Sequence, residues 1–119
     1  MQLRRVVVTG MGALTPIGND VQSFFNGLRS GTSGAGLITH FDTEKFKVKF
    51  ACEVKNFMAE NFFDRKEARK MDPFTQFAMV AADEAIHHSG LLQQSYNPDR
   101  VGVIWGAGIG GLTTFFAEI

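Results

Sequence analysis

The run Arg4-Arg5-Val6-Val7-Val8-Thr9 passes straight into Gly10, Gly12, Pro16 and Gly18, and this junction restricts the fold more than any other stretch. Three adjacent valines make both faces of an extended segment apolar, which suits a strand buried on both sides in a parallel sheet. The glycines and Pro16 then force a turn. Asn19 is placed to cap a helix, with Gln22 three residues later as the second half of a capping box. Val21, Phe24, Phe25 and Leu28 follow at i, i+3, i+4 and i+7, predicting a helix with one apolar face that ends at Gly31. The opening is therefore β-turn-α, and the expected class is α/β.

The chain then changes character. Thr32-Ser33-Gly34-Ala35-Gly36 is loop material. Phe46, Val48 and Phe50 alternate with Lys45, Lys47 and Lys49, as in a half-exposed extended segment on the surface. Asp64 to Lys70 is short and charged. The clearest helix begins after it, with Asp72 at the cap, Pro73 at the first position and Gly90 beyond the end. Its expected inner face is Phe74, Phe77, Ala78, Ala81, Ala82 and Ala85, small enough for close approach by a neighbour. An Asn97-Pro98-Asp99 turn precedes a second expected strand, Arg100 to Trp105. Leu112, Phe115, Phe116 and Ile119 restart a helical period in which the sequence stops. The order β-α, excursion, α-β, α reads as one truncated domain over residues 1–119.

Composition narrows the functional classes. With 119 residues, 45% hydrophobic and 20% charged, the sequence is that of an ordinary globular domain rather than a disordered one. Twelve Lys+Arg balance twelve Asp+Glu, so no global field draws the chain to nucleic acid or an anionic membrane. An electrostatic partner has to be met by a local cluster. No stretch approaches the roughly 20 apolar residues of a membrane span, and the three valines are too few for a signal core. The single cysteine, Cys52, excludes an internal disulfide and a multi-cysteine zinc site, which fits the cytoplasm. Twelve phenylalanines are a heavy apolar load, demanding either a dense core or a covering surface.

Gly106-Ala107-Gly108-Ile109-Gly110-Gly111 matches G-x-G-x-x-G between an expected strand and helix. The strand is not the first of its unit and no acidic residue follows at the required distance, so close backbone packing explains the glycines better than a dinucleotide. Arg65, Lys66, Arg69 and Lys70 form two i, i+4 pairs if helical, putting four cations along one side, diluted by Glu67 and Asp72. Such a cluster is either a solvated surface or a dock for an acidic partner. His87 and His88 diverge on a helix and, with His40, make no metal or catalytic set. Cys52 lacks an activating neighbour and is expected to be a buried or half-buried, unreactive thiol.

In order along the chain, several motifs resemble the amino-terminal end of the elongating β-ketoacyl-acyl carrier protein synthases of type II fatty-acid synthesis. They are Arg4 to Gly12, Thr15-Pro16-Ile17-Gly18, Ser30 to Gly34, His40-Phe41-Asp42, Arg65 to Asp72 and Gly106 to Leu112. Each is weak alone, and the ordered series is specific; the synthase II subtype matches best. The resemblance implies a thiolase-like fold of αβαβα layers, of which this chain is an incomplete amino-terminal portion of the first half. It implies acyl transfer to a cysteine and decarboxylative condensation with malonyl-carrier protein assisted by two histidines, all lying beyond these residues. No catalytic residue, cofactor or metal site is therefore expected here.

By position, the resemblance assigns Lys66, Arg69 and Lys70 to docking of the acidic acyl carrier protein. It assigns Ile109 to the end of the acyl pocket, with Gly108 and Gly110 leaving its loop room to move. The expected substrates are acyl and malonyl thioesters, and the expected intact state is a homodimer. A non-catalytic chain-length-factor subunit and a polyketide ketosynthase share these motifs. A chain of this length, carrying an incomplete sheet, is expected to lack condensing activity and to self-associate through unpaired edges.

Overall fold

The computed structural model describes residues 3–119. Its helices are α1 (Val21–Arg29), α2 (Arg65–Ala68), α3 (Pro73–Ser89) and α4 (Leu112–Glu118), with one antiparallel ladder of β1 (Gly36–Leu37) on β2 (Phe50–Ala51). The chain divides into two compact units, Ala13–Met58 on the one hand and Met1–Gly12 with Ala59–Ile119 on the other.

In the unit Ala13–Met58, the turn before α1 is closed by a two-way bridge between Thr15 and Gly18, with N···O distances of 2.8 and 3.2 Å. The cap of α1 lies one residue later than the sequence suggested. Asp20 accepts from the Ser23 amide at 2.7 Å, and Ser23 Oγ in turn meets the Asp20 amide at 3.2 Å. Both halves of the box are thus supplied by Asp20 and Ser23. Asn19 is free to reach elsewhere, and its Nδ2 donates to the Lys55 carbonyl at 2.8 Å. The Ser23 amide holds the Asp20 carboxyl below its ordinary value. Helix α1 ends at Arg29, with Ser30 as cap and Gly31 left-handed at φ 66°. Only half of its apolar face is covered, since Phe25 and Leu28 remain exposed.

The lysine–phenylalanine alternation does lie on an excursion, though it is barely a strand. Only Phe50 and Ala51 pair, with Leu37 opposite Phe50, and both partners are exposed. Cys52, next along, is exposed rather than buried, because none of the described residues covers it. Glu53 ties the arm together by accepting from Thr39 Oγ1 at 2.8 Å and from the Thr39 amide at 3.1 Å. The Thr39 hydroxyl, then its amide and nearby His40, hold the Glu53 carboxyl below the usual glutamate value, against a smaller opposing effect of desolvation. A lowered folded-state pKa gives stabilisation that is complete above the ordinary glutamate pKa and is lost as pH falls through the lowered value. The Thr39 amide is therefore expected to titrate in an NMR pH series below the midpoint of a free glutamate, and Glu53→Gln should abolish that step. A Thr39 midpoint at the ordinary value would refute the assignment.

In the other unit, α3 has the predicted limits. Asp72 stands at the cap, Pro73 opens the first turn, and Gly90 ends it at φ 67°. Ala78 and Ala81 are buried as expected, and so is Val80, which the expected face omitted. The glycine turn packs on this small-residue face. A Cβ on Gly10 would lie 2.7 Å from the Ser89 amide, and one on Gly12 would lie 2.7 Å from the Ala81 carbonyl carbon. Met11 is held between them by its amide, 3.2 Å from His88 Nδ1.

The two expected central strands are not formed. Residues 4–9 and 100–105 have no ladder partner among the described residues, and Val6 and Ile104 are 89% and 98% exposed. A strand is defined by inter-strand hydrogen bonds, and valine-rich sequence cannot supply them without a neighbour. The turn before the second segment is correct: Asn97 Oδ1 accepts from the Asp99 amide at 2.9 Å, opening a single 3-10 turn at Pro98–Arg100. Among the described residues no side chain is fully buried, so the phenylalanine load has no dense core to enter.

Candidate functional site

The basic stretch folds as one helical turn. The Ala68 amide bonds the Asp64 carbonyl at 2.9 Å and the Arg69 amide bonds the Arg65 carbonyl at 3.3 Å. The Lys70 amide then reaches back to Glu67, at 3.0 Å, so after two i, i+4 bonds the turn tightens to an i, i+3 closure. Ala68 is buried beneath the turn while Arg65, Lys66, Arg69 and Lys70 are exposed. Gln76 on α3 clamps the base of the turn from below, its Nε2 donating to the carbonyls of Ala68 at 2.8 Å and Met71 at 3.1 Å. The cations therefore project from a fixed backbone.

They are not equivalent. Lys70 Nζ sits 2.8 Å from Glu67 Oε1, with both side chains mostly exposed. Such a surface pair contributes about 0–1 kcal/mol to stability, yet it neutralises the charge locally. Among the described residues Lys66 and Arg69 form no ion pair. Sequence spacing placed four cations on one side; Lys70 is paired with Glu67, which leaves Lys66 and Arg69 open among the three that the resemblance singled out.

Ile109 is 79% exposed on the glycine loop. The two glycines beside it differ. Gly108 has open space around it, whereas a Cβ on Gly110 would lie 2.6 Å from the Phe74 ring. Gly110 therefore pins the loop to α3 and does not give it room to move. Gly111 follows at φ 77°, starting α4 without a side-chain cap. Beside the loop a groove of about 210 Å³ runs along α3, lined by Phe74, Ala78, Met79, Ala82, Val103 and Trp105 among others; Ile109 is not part of its wall. The groove is apolar, and a second of about 350 Å³ lies between Gly12, the Ala81–Ile86 face and residues 102–105.

The remaining polar groups do not converge on chemistry. His87 Nδ1 is 3.3 Å from Asp83 on its own helix, His88 faces Met11, and His40 lies 3.9 Å from Glu53. Among the described residues no three His, Cys, Asp or Glu side chains gather as metal ligands, and no helix is long and apolar enough to cross a membrane. Sequence reasoning missed Gln76 and Thr114. Gln76 has no signal beyond a polar residue on an apolar helix, and Thr114, whose hydroxyl donates to the Asp72 carboxylate 42 positions away, has none.

A family model described as the β-ketoacyl synthase N-terminal domain matches residues 3–118. A 3-oxoacyl-[acyl-carrier-protein] synthase 2 of Staphylococcus aureus (strain COL) is 51% identical over 114 residues, covering 96% of this chain and 28% of the relative. The protein of the same name from Synechocystis sp. is 48% identical over 112 residues, covering 94% and 27%. Among solved structures, the ishigamide ketosynthase/chain length factor aligns with a TM-score of 0.67 at 38% identity, over 83% of this chain and 23% of that one. The chain thus spans little more than a quarter of the length of the curated relatives it matches.

Proposed function

Since this chain belongs to the β-ketoacyl synthase family, we propose that it is the amino-terminal portion of a 3-oxoacyl-acyl carrier protein synthase II, and that it supplies carrier-protein docking and acyl-pocket surface. The observation that carries this reading is the basic turn. Lys66 and Arg69 stand exposed, and unpaired among the described residues, on a backbone fixed by Gln76, which is what an acidic carrier needs to meet. The 51% identity to a synthase 2 over almost the whole chain supports the subtype.

In the intact enzyme, the acyl thioester would be attacked by a cysteine thiolate, expelling the carrier's thiol through a tetrahedral oxyanion. Loss of carbon dioxide from malonyl-carrier protein then leaves an enolate, which attacks the acyl-cysteine carbonyl and releases the cysteine. None of those reacting groups lies in these 119 residues, and Cys52 on its exposed arm is not the nucleophile. The proposed setting is a thiolase-like αβαβα fold in a cytoplasmic homodimer. The uncovered valines at 6–8 and Ile104 suit strands whose neighbours come from the rest of such a sheet. Without it, the isolated chain should self-associate.

A second reading is favoured by one observation: the aligned solved structure pairs a ketosynthase with a chain length factor. In that reading the intact protein would be a binding subunit without a nucleophile. The test is product formation by the purified intact protein from acyl- and malonyl-carrier protein. Two-carbon extension abolished by cysteine alkylation supports the synthase; turnover seen only after adding a second subunit supports the factor. In the same assay Ile109→Phe should shorten the preferred acyl chain, moving the ratio of long to short products by about tenfold, since one pocket methylene is worth about 1–3 kcal/mol. An unaltered product profile would remove Ile109 from the pocket.

A further inference from the structure

We propose that Thr114 and Asp72 form a link that positions the Ile109 loop, making Thr114 a positioning residue for acyl selection; the proposal rests on reading Ile109 as pocket wall. The starting point is an unusual cap. Asp72 occupies the cap of α3 with extended dihedrals, φ −63° and ψ 153°, and its backbone carbonyl accepts from the Thr75 and Gln76 amides at 2.9 and 3.1 Å. Its side chain makes no cap bond. An aspartate in this position ordinarily turns its carboxylate onto the amides of the first helical turn. Here the carboxylate leaves them and accepts the Thr114 hydroxyl from α4 instead.

Two neighbouring residues make that reach possible. Gly111 approaches so closely that a Cβ there would lie 2.7 Å from Asp72 Oδ2, and its φ of 77° is one that few other residues adopt. Gly110 also approaches α3 closely, since a Cβ there would lie 2.6 Å from the Phe74 ring. Ile109 is thus the last residue before a three-point attachment, at 110, 111 and 114, to the first turn of α3. That same turn carries Gln76, which clamps the basic turn from its other side. The dock and the Ile109 loop share one support, and the Asp72–Thr114 hydrogen bond ties the loop side to it. Removing the hydroxyl leaves only the close approaches of Gly110 and Gly111 to hold the loop against α3, so Ile109 is held less firmly.

The test uses the intact synthase and a series of acyl-carrier protein substrates of increasing length. Thr114→Val should change the ratio of kcat/KM for long over short chains by on the order of fivefold, a small coupling by the standards of linked sites. Thr114→Ser, which restores the hydroxyl, should return the wild-type ratio. Asp72→Ala removes the same bond from its other end and should shift the ratio equally, with no further change in the double variant. The proposal is overturned if Thr114→Val and Asp72→Ala keep the wild-type ratio while Ile109→Phe alters it. It is also overturned if Thr114→Ser behaves as Thr114→Val does. Should Ile109→Phe itself leave the ratio unmoved, the pocket-wall reading fails and this link falls with it.

Discussion

Replacing Lys66 and Arg69 with glutamate in the intact protein is expected to weaken acyl carrier protein binding by roughly thirty- to a hundredfold at low ionic strength. Both side chains are exposed and neither has an ion-pair partner among the described residues, so each presents its full charge to an approaching partner. Reversal turns two attractions into two repulsions against an acidic surface, worth together about 2–3 kcal/mol when each exposed pair is worth up to about 1 kcal/mol. Most of the loss should appear in the association rate, and it should shrink towards a few-fold in about 1 M salt, where screening acts within about 3 Å. Lys70→Glu alone should do less than Lys66→Glu, because Lys70 is already neutralised by Glu67 at 2.8 Å. The fold should survive, since exposed substitutions of this kind shift stability by only about 0.5 kcal/mol. Surface plasmon resonance across a salt series measures all of this, and unchanged affinity at low salt would return the turn to an ordinary solvated surface.

That ranking among the cations was not readable from spacing. The spacing of 65, 66, 69 and 70 announced a basic face, and the face exists. Which cations are available depends on where Glu67 points and on the tightening at Lys70, both properties of the folded turn. Helix α3 was legible because its limits are local: Pro73 favours a first turn, Gly90 a left-handed stop, and neither consults the rest of the chain. The capping box before α1 was legible in kind but misplaced by one residue, because Asn19 and Asp20 are both good caps and only the reach of Asn19 to Lys55 separates them. The valine run at 6–8 was read as a buried strand because its composition records a demand for burial. Meeting that demand takes pairing partners that no described residue provides. Thr114 was invisible for the same reason: a hydrogen bond across 42 positions leaves no pattern in either residue's neighbourhood. Ile109 entered only through the family resemblance, and its exposure on a pinned loop is compatible with that role without deriving it.

The largest stability effect is expected from Gly12→Ala, about 3 kcal/mol against the intact protein. The added Cβ would overlap the Ala81 carbonyl oxygen, with the Ala81 carbonyl carbon at 2.7 Å and the Ala85 amide nitrogen at 3.0 Å. These are backbone atoms of α3, so no rotamer change can make room. The segment must lift away, which uncovers buried Ala81 and breaks the bond between the Met11 amide and His88. Overpacking a tight site costs about 1–3 kcal/mol, and the lost contacts push this case to the upper end. Gly36→Ala is the matched control: nothing lies within 4 Å of its new methyl and its φ is not positive, so it should be neutral or stabilising by up to about 1 kcal/mol. Both variants remove the same backbone freedom from the unfolded chain, so their difference isolates the native contact of Gly12 with α3. Denaturant unfolding of the two intact variants gives that difference directly. Equal midpoints would mean that the glycine turn does not lie on the Ala81–Ala85 face, and the packing that positions α3 beneath the basic turn would have to be redrawn.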